Sequence, residues 1–493
     1  MVLENPGTAV RLGPSLKKRA QNFYYPILLL DSIQDCCQQA VARKAADSPH
    51  NPNQTPEGDF HTFVNKLAHI CDSRPRGDTI TALAVLQDES TGGKVLYVFV
   101  SNSRKRQNLL KTKDDLTAVL NILKANLEAK EKEPDDVLFK RLLRMVLRLN
   151  TVRVQTYLAA LAKDLAACTK ACNADPSPEN QTASKALNDL LQLIPKTTAD
   201  SGQTSDSFIS SVISCIQTVQ RYRQTPSLQN FIKRHAAKED KMRKNVKSCP
   251  WSNLHHIGGR LLSYQYDVET LISAHHMWED SDLFRDFEVN FLDSSTNSMS
   301  GSLNFPKLTP ESIIDAIPAN TCTTREKKTL IQCVNELRPF GLDESLEMQW
   351  KRRHDPIVHA EMMLHDWLSR TPGGVRNERF FGGWQYIGVS KPLCRLCRYY
   401  FNIIPTPVQF RDSHPNTYPN WRLPDIRPRS TSAKDTQEAN EEWLEIMDQM
   451  KARVYLDLRR VLVEKTTDRK MNDSNTYTDK LSLAGLFMNL ELE

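Results

Sequence analysis

The 493-residue chain reads as an α/β protein: a three-layer α/β/α sandwich with a large, mostly helical insertion and a C-terminal helix. Three observations predict this. Residues 79–87 and 94–101 are almost wholly apolar and flank Asp88-Glu-Ser-Thr-Gly-Gly93, which marks a β-hairpin. Strands apolar on both sides need cover on both faces, as helices supply in an α/β/α arrangement. Trp384-Gln-Tyr-Ile-Gly-Val-Ser390 is aromatic and β-branched, follows Gly382-Gly383 and is broken by Lys391-Pro392, so it reads as a short buried strand. Most of the remaining chain has apolar residues at helical spacing.

Taken in order, residues 1–17 are expected to be disordered. Residues 18–45 read as a helix with Ile27, Leu30 and Ile33 on its apolar side, and 46–59 as a polar loop. Residues 60–72 read as a second helix carrying Phe63, Leu67 and Ile70. The hairpin closes an N-terminal unit spanning 18–111. Residues 112–345 read as the helical insertion. Arg141, Arg144 and Arg148 line one helical face in it, and Leu142, Val146 and Leu149 approach another. Residues 283–291 read as a strand of unassigned place. Residues 346–430 hold the strand at 384–390, a helix to about Ile404 and a strand near 408–411. A helix over 434–465, within a segment 431–465, carries Trp443, Ile446, Met450, Val454, Leu458 and Val461 at helical spacing. The tail 466–493 is expected to be poorly ordered.

Composition bounds the classes. At 40% hydrophobic and 25% charged the chain is expected to be soluble and globular. Its start, Met1-Val-Leu-Glu-Asn-Pro-Gly7, lacks the basic and apolar stretches of a signal peptide. The apolar run from Tyr24 to Leu30 is too short to span a bilayer, so no membrane association is expected. Eleven cysteines, an odd number without disulfide-like rhythm, go with a reducing cytoplasm or nucleus. There is no P-loop, no dinucleotide fingerprint and no HExxH.

The chemistry concentrates in His359-Ala-Glu361 and, 33 residues after the glutamate, Cys394-Arg-Leu-Cys397. Either motif alone is unremarkable in a chain with 12 histidines and 11 cysteines. Together, in this order, each opening a helix with a strand between, they read as a zinc site. A catalytic zinc takes three protein ligands and leaves a fourth position to water. His359, Cys394 and Cys397 meet that count, and Glu361 is placed as the general acid/base. Cys394 and Cys397 share one face of a helix start, where free backbone N–H groups favour thiolates. A structural zinc would need a fourth protein ligand, for which His365 or His414 is available. Cys168 and Cys172, four residues apart, are a further metal-capable pair, though helical core thiols are the plainer reading.

These residues resemble the zinc-dependent cytidine deaminase superfamily, whose signature is H-x-E followed by P-C-x-x-C. More narrowly, the chain resembles the fungal branch of toxin-type nucleic-acid deaminases related to an Orientia protein. The resemblance also draws on Ile387-Gly-Val-Ser390-Lys391, His414 and Tyr418-Pro-Asn-Trp421-x-Leu423-Pro424. One departure is that Leu393 stands between Pro392 and Cys394. The resemblance implies a cytidine deaminase-like sandwich, Zn2+ as cofactor and hydrolytic removal of an amine from a nucleobase, cytosine in preference to adenine. It also implies a substrate contact from Asn102 at the end of the second hairpin strand. Ser390 and His414 are expected to flank the same pocket.

Residues 351–429 carry 13 Lys or Arg against 6 Asp or Glu, interleaved with Tyr399, Tyr400, Phe401, Tyr418 and Trp421. Basic and aromatic side chains together suit a nucleotide or nucleic acid. Arginines paired with carboxylates and aromatics buried in a core would produce the same composition. Lys233 to Lys247, with seven basic and two acidic residues, reads as a solvated helix face or a nucleic-acid contact. Two alternatives to an enzyme stay open. One is an inactive deaminase-fold binding protein that keeps a structural zinc, against which the presence of Glu361 argues. The other is an unrelated, four-ligand zinc module in a helical interaction protein.

Overall fold

The computed structural model describes residues 2–3, 9–10, 12–37, 39–40, 55–87, 92–175, 177–195, 206–242, 249–295, 306–428, 430 and 432–467. In chain order its strands are β1 (Val2–Leu3), β2 (Gln39–Ala40), β3 (Thr81–Leu86), β4 (Val95–Ser101), β5 (Phe287–Leu292), β6 (Tyr386–Val389), β7 (Gln409–Phe410) and β8 (Thr466–Thr467). The helices are α1 (Pro14–Cys36), α2 (Pro56–Cys71), α3 (Arg106–Glu128), α4 (Asp135–Leu149), α5 (Thr151–Ala174), α6 (Pro178–Leu193), α7 (Asp206–Gln224) and α8 (Pro226–Met242). They continue with α9 (Pro250–Met277), α10 (Pro310–Asp315), α11 (Thr324–Leu337), α12 (Leu342–Lys351), α13 (Ala360–Arg370), α14 (Arg395–Ile403) and α15 (Ala433–Glu464). The protein is therefore mixed α/β and mostly helical.

One sheet runs in the order β1-β5-β4-β3-β6-β7. β3 and β4 form the antiparallel hairpin, from Thr81↔Ser101 to Leu86↔Leu96. Its turn at 88–91 lies outside the described residues. β6 pairs antiparallel with β3 through Ala82↔Val389 and Leu83↔Gly388, so the hairpin shares a sheet with the strand before the cysteines. β4 pairs parallel with β5, and β6 parallel with β7.

The sheet divides two cores by the period-2 alternation of its side chains. Leu83, Val85, Val95, Tyr97, Phe99, Val289 and Phe291 join a core with α2 and α3 to α9. Ala82, Ala84, Leu86, Val98, Val100, Leu292, Ile387 and Val389 join the other, with α1 and α10 to α15. Helices thus cover both faces, as strands apolar on both sides require.

The segment read as one insertion, 112–345, is shared between these cores, and its first boundary falls inside α3. It also supplies β5, whose place the sequence left unassigned. The physical reason is the open edge of β4, whose backbone N–H and C=O groups need a partner in a buried sheet. At the N-terminus, the described part of 1–17 includes β1 on the β5 edge and the start of α1, where Pro14 occupies the first helical turn. α2 begins earlier than expected because Thr55-Pro56 is a capping signal: Thr55 Oγ1 accepts from Gly58 N at 3.1 Å. Of the tail, 468–493 lies outside the described residues, and Thr466–Thr467 pair with Gln39–Ala40. The basic stretch after Met242 is outside them as well.

α2 lies directly on β6. A Cβ on Gly388 would meet Val64 Cγ1 at 2.6 Å and the Val64 carbonyl carbon at 2.8 Å, so only glycine admits this approach. Asn65 of α2 accepts from Val389 N at 3.0 Å and donates to Tyr386 Oη at 2.8 Å, holding both ends of β6.

Candidate metal centre

The site is assembled from two helix starts. His359 is the N-cap residue of α13 and Cys394 that of α14, both with extended backbone. Parallel bridges bring the preceding segments to the 411–422 loop: Ile357 pairs with Trp421, and Leu393 with Ser413. Leu393 N donates to Asp412 O at 3.1 Å and His414 N to Leu393 O at 2.8 Å. The residue that departs from the superfamily spacing is thus a paired, buried link into the cysteine helix.

Nδ1 of His359 lies 3.6 Å from Cys394 Sγ and 3.3 Å from Cys397 Sγ, and the two sulfurs are 3.5 Å apart. Zinc bound at about 2.3 Å to sulfur and 2.0–2.1 Å to nitrogen, with tetrahedral angles, separates two sulfurs by about 3.8 Å and a sulfur from a nitrogen by about 3.5 Å. The three gaps agree with these to within about 0.3 Å, and the donor set is one that zinc favours. These three residues can hold a metal ion, and they are the group of that kind among the described residues. Neither suggested fourth ligand joins them. His365 Nε2 meets Thr406 Oγ1 at 2.9 Å, and His414 Nδ1 accepts from Asn416 N at 3.2 Å. Cys168 and Cys172 are buried core thiols outside any such group.

Without a metal, charge is shared unevenly. Burial opposes ionisation of Cys394, but hydrogen bonds from Cys397 and the His359 ring hold its thiol well below the ordinary range. Burial and the Cys394 charge push Cys397 well above it. Burial pulls His359 down, but the Cys394 sulfur and the Glu361 carboxylate together outweigh it and the ring ends raised. Glu361 is 3% exposed, and its carboxylate lies 3.9 Å from His359 Nδ1. Burial raises its carboxyl above the usual range, the direction that suits a group exchanging protons near neutral pH.

The three expected substrate contacts sit differently. Asn102 reaches the site, with its Oδ1 accepting from Ala360 N at 2.8 Å, between His359 and Glu361. Its Nδ2 donates to Gly77 O at 3.1 Å. The amide therefore caps the helix that starts with the His-Ala-Glu motif. Ser390 turns toward the end of α2, where its Oγ accepts from Thr81 N at 3.2 Å and donates to Asp72 Oδ2 at 3.4 Å. Asp72 is buried and pairs with Arg153 of α5 at 2.8 Å. His414 packs edge-on against Tyr418, with ring centroids 5.8 Å apart.

Much of the local positive charge is paired. Arg395 and Tyr399 meet Asp457, Arg422 meets Asp425 at 2.7 Å, and Arg370 meets Asp366 at 2.7 Å. Tyr400 and Trp421 are buried in the core. Sequence reasoning missed Trp421 at the metal centre, although its motif had been singled out: its Nε1 donates to Cys397 Sγ at 3.2 Å. No periodicity or spacing signals that contact.

A family model described as an OTT_1508_deam-like deaminase matches residues 358–425, the segment that carries His359, Glu361, Cys394 and Cys397. The match supports a deaminase-like family and, with it, deamination as the activity class. Neither a curated protein nor a solved structure gave a match to the chain. No described helix is long and apolar enough to cross a membrane.

Proposed function

We propose that the protein is a zinc-dependent hydrolytic deaminase acting on a nucleobase, cytosine in preference to adenine, in a nucleotide or nucleic acid, in the cytoplasm or nucleus. The observation that carries this reading is the convergence of His359, Cys394 and Cys397 on one point with the Glu361 carboxyl beside them. The three residues would hold the ion. When bound, zinc supplies the Lewis acidity that makes water nucleophilic at neutral pH. Glu361 takes a proton from the water that adds and returns protons to the ring nitrogen and the departing amine. One water is consumed, the exocyclic amine leaves as ammonia, and a carbonyl replaces it. Asn102 fixes the start of α13, and its second Nδ2 hydrogen remains for a sugar or backbone oxygen. Ser390 and His414 would flank the same pocket.

Helices on both sheet faces support reading the domain as a three-layer cytidine deaminase-like sandwich, and the motif segments are the ground for proposing the fungal branch. Residues 18–111 and 346–430 would be its two parts, with 112–345 inserted and lending β5, and 431–465 as the closing helix.

One observation favours a second reading, an inactive deaminase-fold binding protein with structural zinc. Glu361 is 3% and His359 9% exposed, which leaves a substrate little access. Ammonia release separates the two. Zinc-loaded wild type should release ammonia from at least one of cytidine, deoxycytidine, their nucleotides or single-stranded RNA or DNA. Glu361→Gln should keep zinc and lose turnover by roughly 100-fold or more. Retained zinc without turnover on any of these favours the binding protein, and a protein that takes up no zinc sinks both.

A further inference from the structure

The indole of Trp421 is fully buried and fixed from several sides. Tyr24 Oη donates to its carbonyl at 2.8 Å, and the Phe23 ring lies 5.9 Å from its own. Ile357 N donates to Asn420 O at 3.3 Å and Arg422 N to Ile357 O at 2.9 Å, so Trp421 is tied to the segment two residues before His359. Its Nε1, a group that can only donate, points at Cys397 Sγ at 3.2 Å. The other sulfur, on Cys394, receives the backbone N–H of Cys397 at 3.5 Å. That N–H is spent there, so Cys397 draws its donor from Trp421. Besides the His359 ring, which lies against both, each sulfur of the centre thereby receives one N–H, and Trp421 links the cysteine helix to the histidine segment.

We propose that Trp421 is a positioning residue of the metal centre, its indole N–H directing the Cys397 sulfur and carrying part of its charge when that sulfur binds metal. Trp421 acts through Cys397 and touches no substrate. The inference rests on the reading of His359, Cys394 and Cys397 as metal ligands.

Trp421→Phe keeps most of the apolar bulk and removes the N–H. Trp443→Phe is the control, since its Nε1 donates at 3.1 Å to Pro424 O, in the same loop but away from the sulfurs. Metal-free proteins are titrated with Co2+, following the sulfur-to-cobalt charge-transfer band, and with Zn2+ against a chromophoric chelator. Trp421→Phe should bind both ions about 10–100-fold more weakly, as removal of an outer-shell hydrogen bond does. Its charge-transfer band should move to lower energy, because a sulfur without the N–H is the stronger donor. Trp443→Phe should match wild type in both. In cadmium-loaded wild type, which needs no variant, the Trp421 indole proton should show scalar coupling to cadmium and the Trp443 indole proton none. An unshifted band with unchanged affinity in Trp421→Phe, equal changes in both variants, or no cadmium coupling overturns the inference. A wild type without a sulfur-to-cobalt band overturns the metal reading itself, which is a different result.

Discussion

At the scale of single residues, the centre depends on side chains that serve the backbone as much as the chemistry. Asn102 lies 257 residues before His359, yet its Oδ1 takes the N–H of Ala360, one of the donors a helix start leaves unpaired. Asn102→Ala should cost about 1–2 kcal/mol of unfolding free energy, the range of a lost N-terminal cap, and weaken metal binding because His359 is the capped residue's neighbour. Asn102→Asp keeps the acceptor and should retain more of both. Denaturant unfolding with zinc titration checks this, and an Asn102→Ala protein equal to wild type in both removes the capping role. His365 permits a pH prediction. It is 4% exposed, and burial lowers its pKa from 6.5 to about 4. Between those values the unfolded chain binds a proton that the folded one refuses. Stability is therefore full above about pH 6.5 and falls as pH drops toward 4. His365→Gln should remove roughly 2 kcal/mol of the stability difference between pH 7 and pH 5, read from urea midpoints.

At the scale of elements, α2 packs directly on β6, the strand that precedes the cysteine helix. Gly388 lets the Val64 backbone approach β6, and Asn65 bonds both ends of the strand. Gly388→Ala has nowhere to place its methyl without moving α2, and overpacking of this kind costs about 1–3 kcal/mol. The expected result is a lower thermal midpoint together with weaker metal binding, since β6 leads through Pro392 into Cys394. An alanine variant with an unchanged midpoint would mean that α2 shifts freely. The hairpin, the β6 strand itself and the helix starts at His359 and Cys394 agree with elementary patterning, because apolar runs, Gly-Gly turns and a proline break are local signals. The place of β5 does not, because a strand's neighbours are chosen by long-range pairing.

At the scale of the whole molecule, the helices of 112–345 are tied to the sheet by buried charge. Arg153 of α5 pairs with Asp72 at the end of α2, and Asp72 also accepts from Thr79 at 2.7 Å and from Ser390. Burial opposes the Asp72 charge, but Arg153, Lys391, the Thr79 hydrogen bond and His69 together outweigh it and hold the carboxyl below its usual range. Arg153→Ala should cost about 3–5 kcal/mol by leaving a carboxylate buried and unpaired. The double variant Arg153→Ala with Asp72→Ala should recover part of that loss. If the single variant unfolds at the wild-type urea midpoint, the helical segment is not anchored through this pair. Much of the positive charge around the centre is likewise used internally, which composition cannot reveal: a count of arginines does not say which carboxylates lie across from them.

The sequence by itself determined the donor set and its order. His359, Cys394 and Cys397, which the fold brings together, were legible because metal chemistry restricts residue types and because helix starts carry local signals. It also determined the hairpin and the need for cover on both of its faces. Tertiary structure decided what depends on approach across long separations. It placed Asn102 on the α13 start, turned Ser390 toward Asp72, gave Cys397 its donor from Trp421 and drew β5 into the sheet. The physical reason is that hydrogen-bond direction and strand pairing belong to pairs of residues brought together by folding, whereas residue type and periodicity belong to the chain.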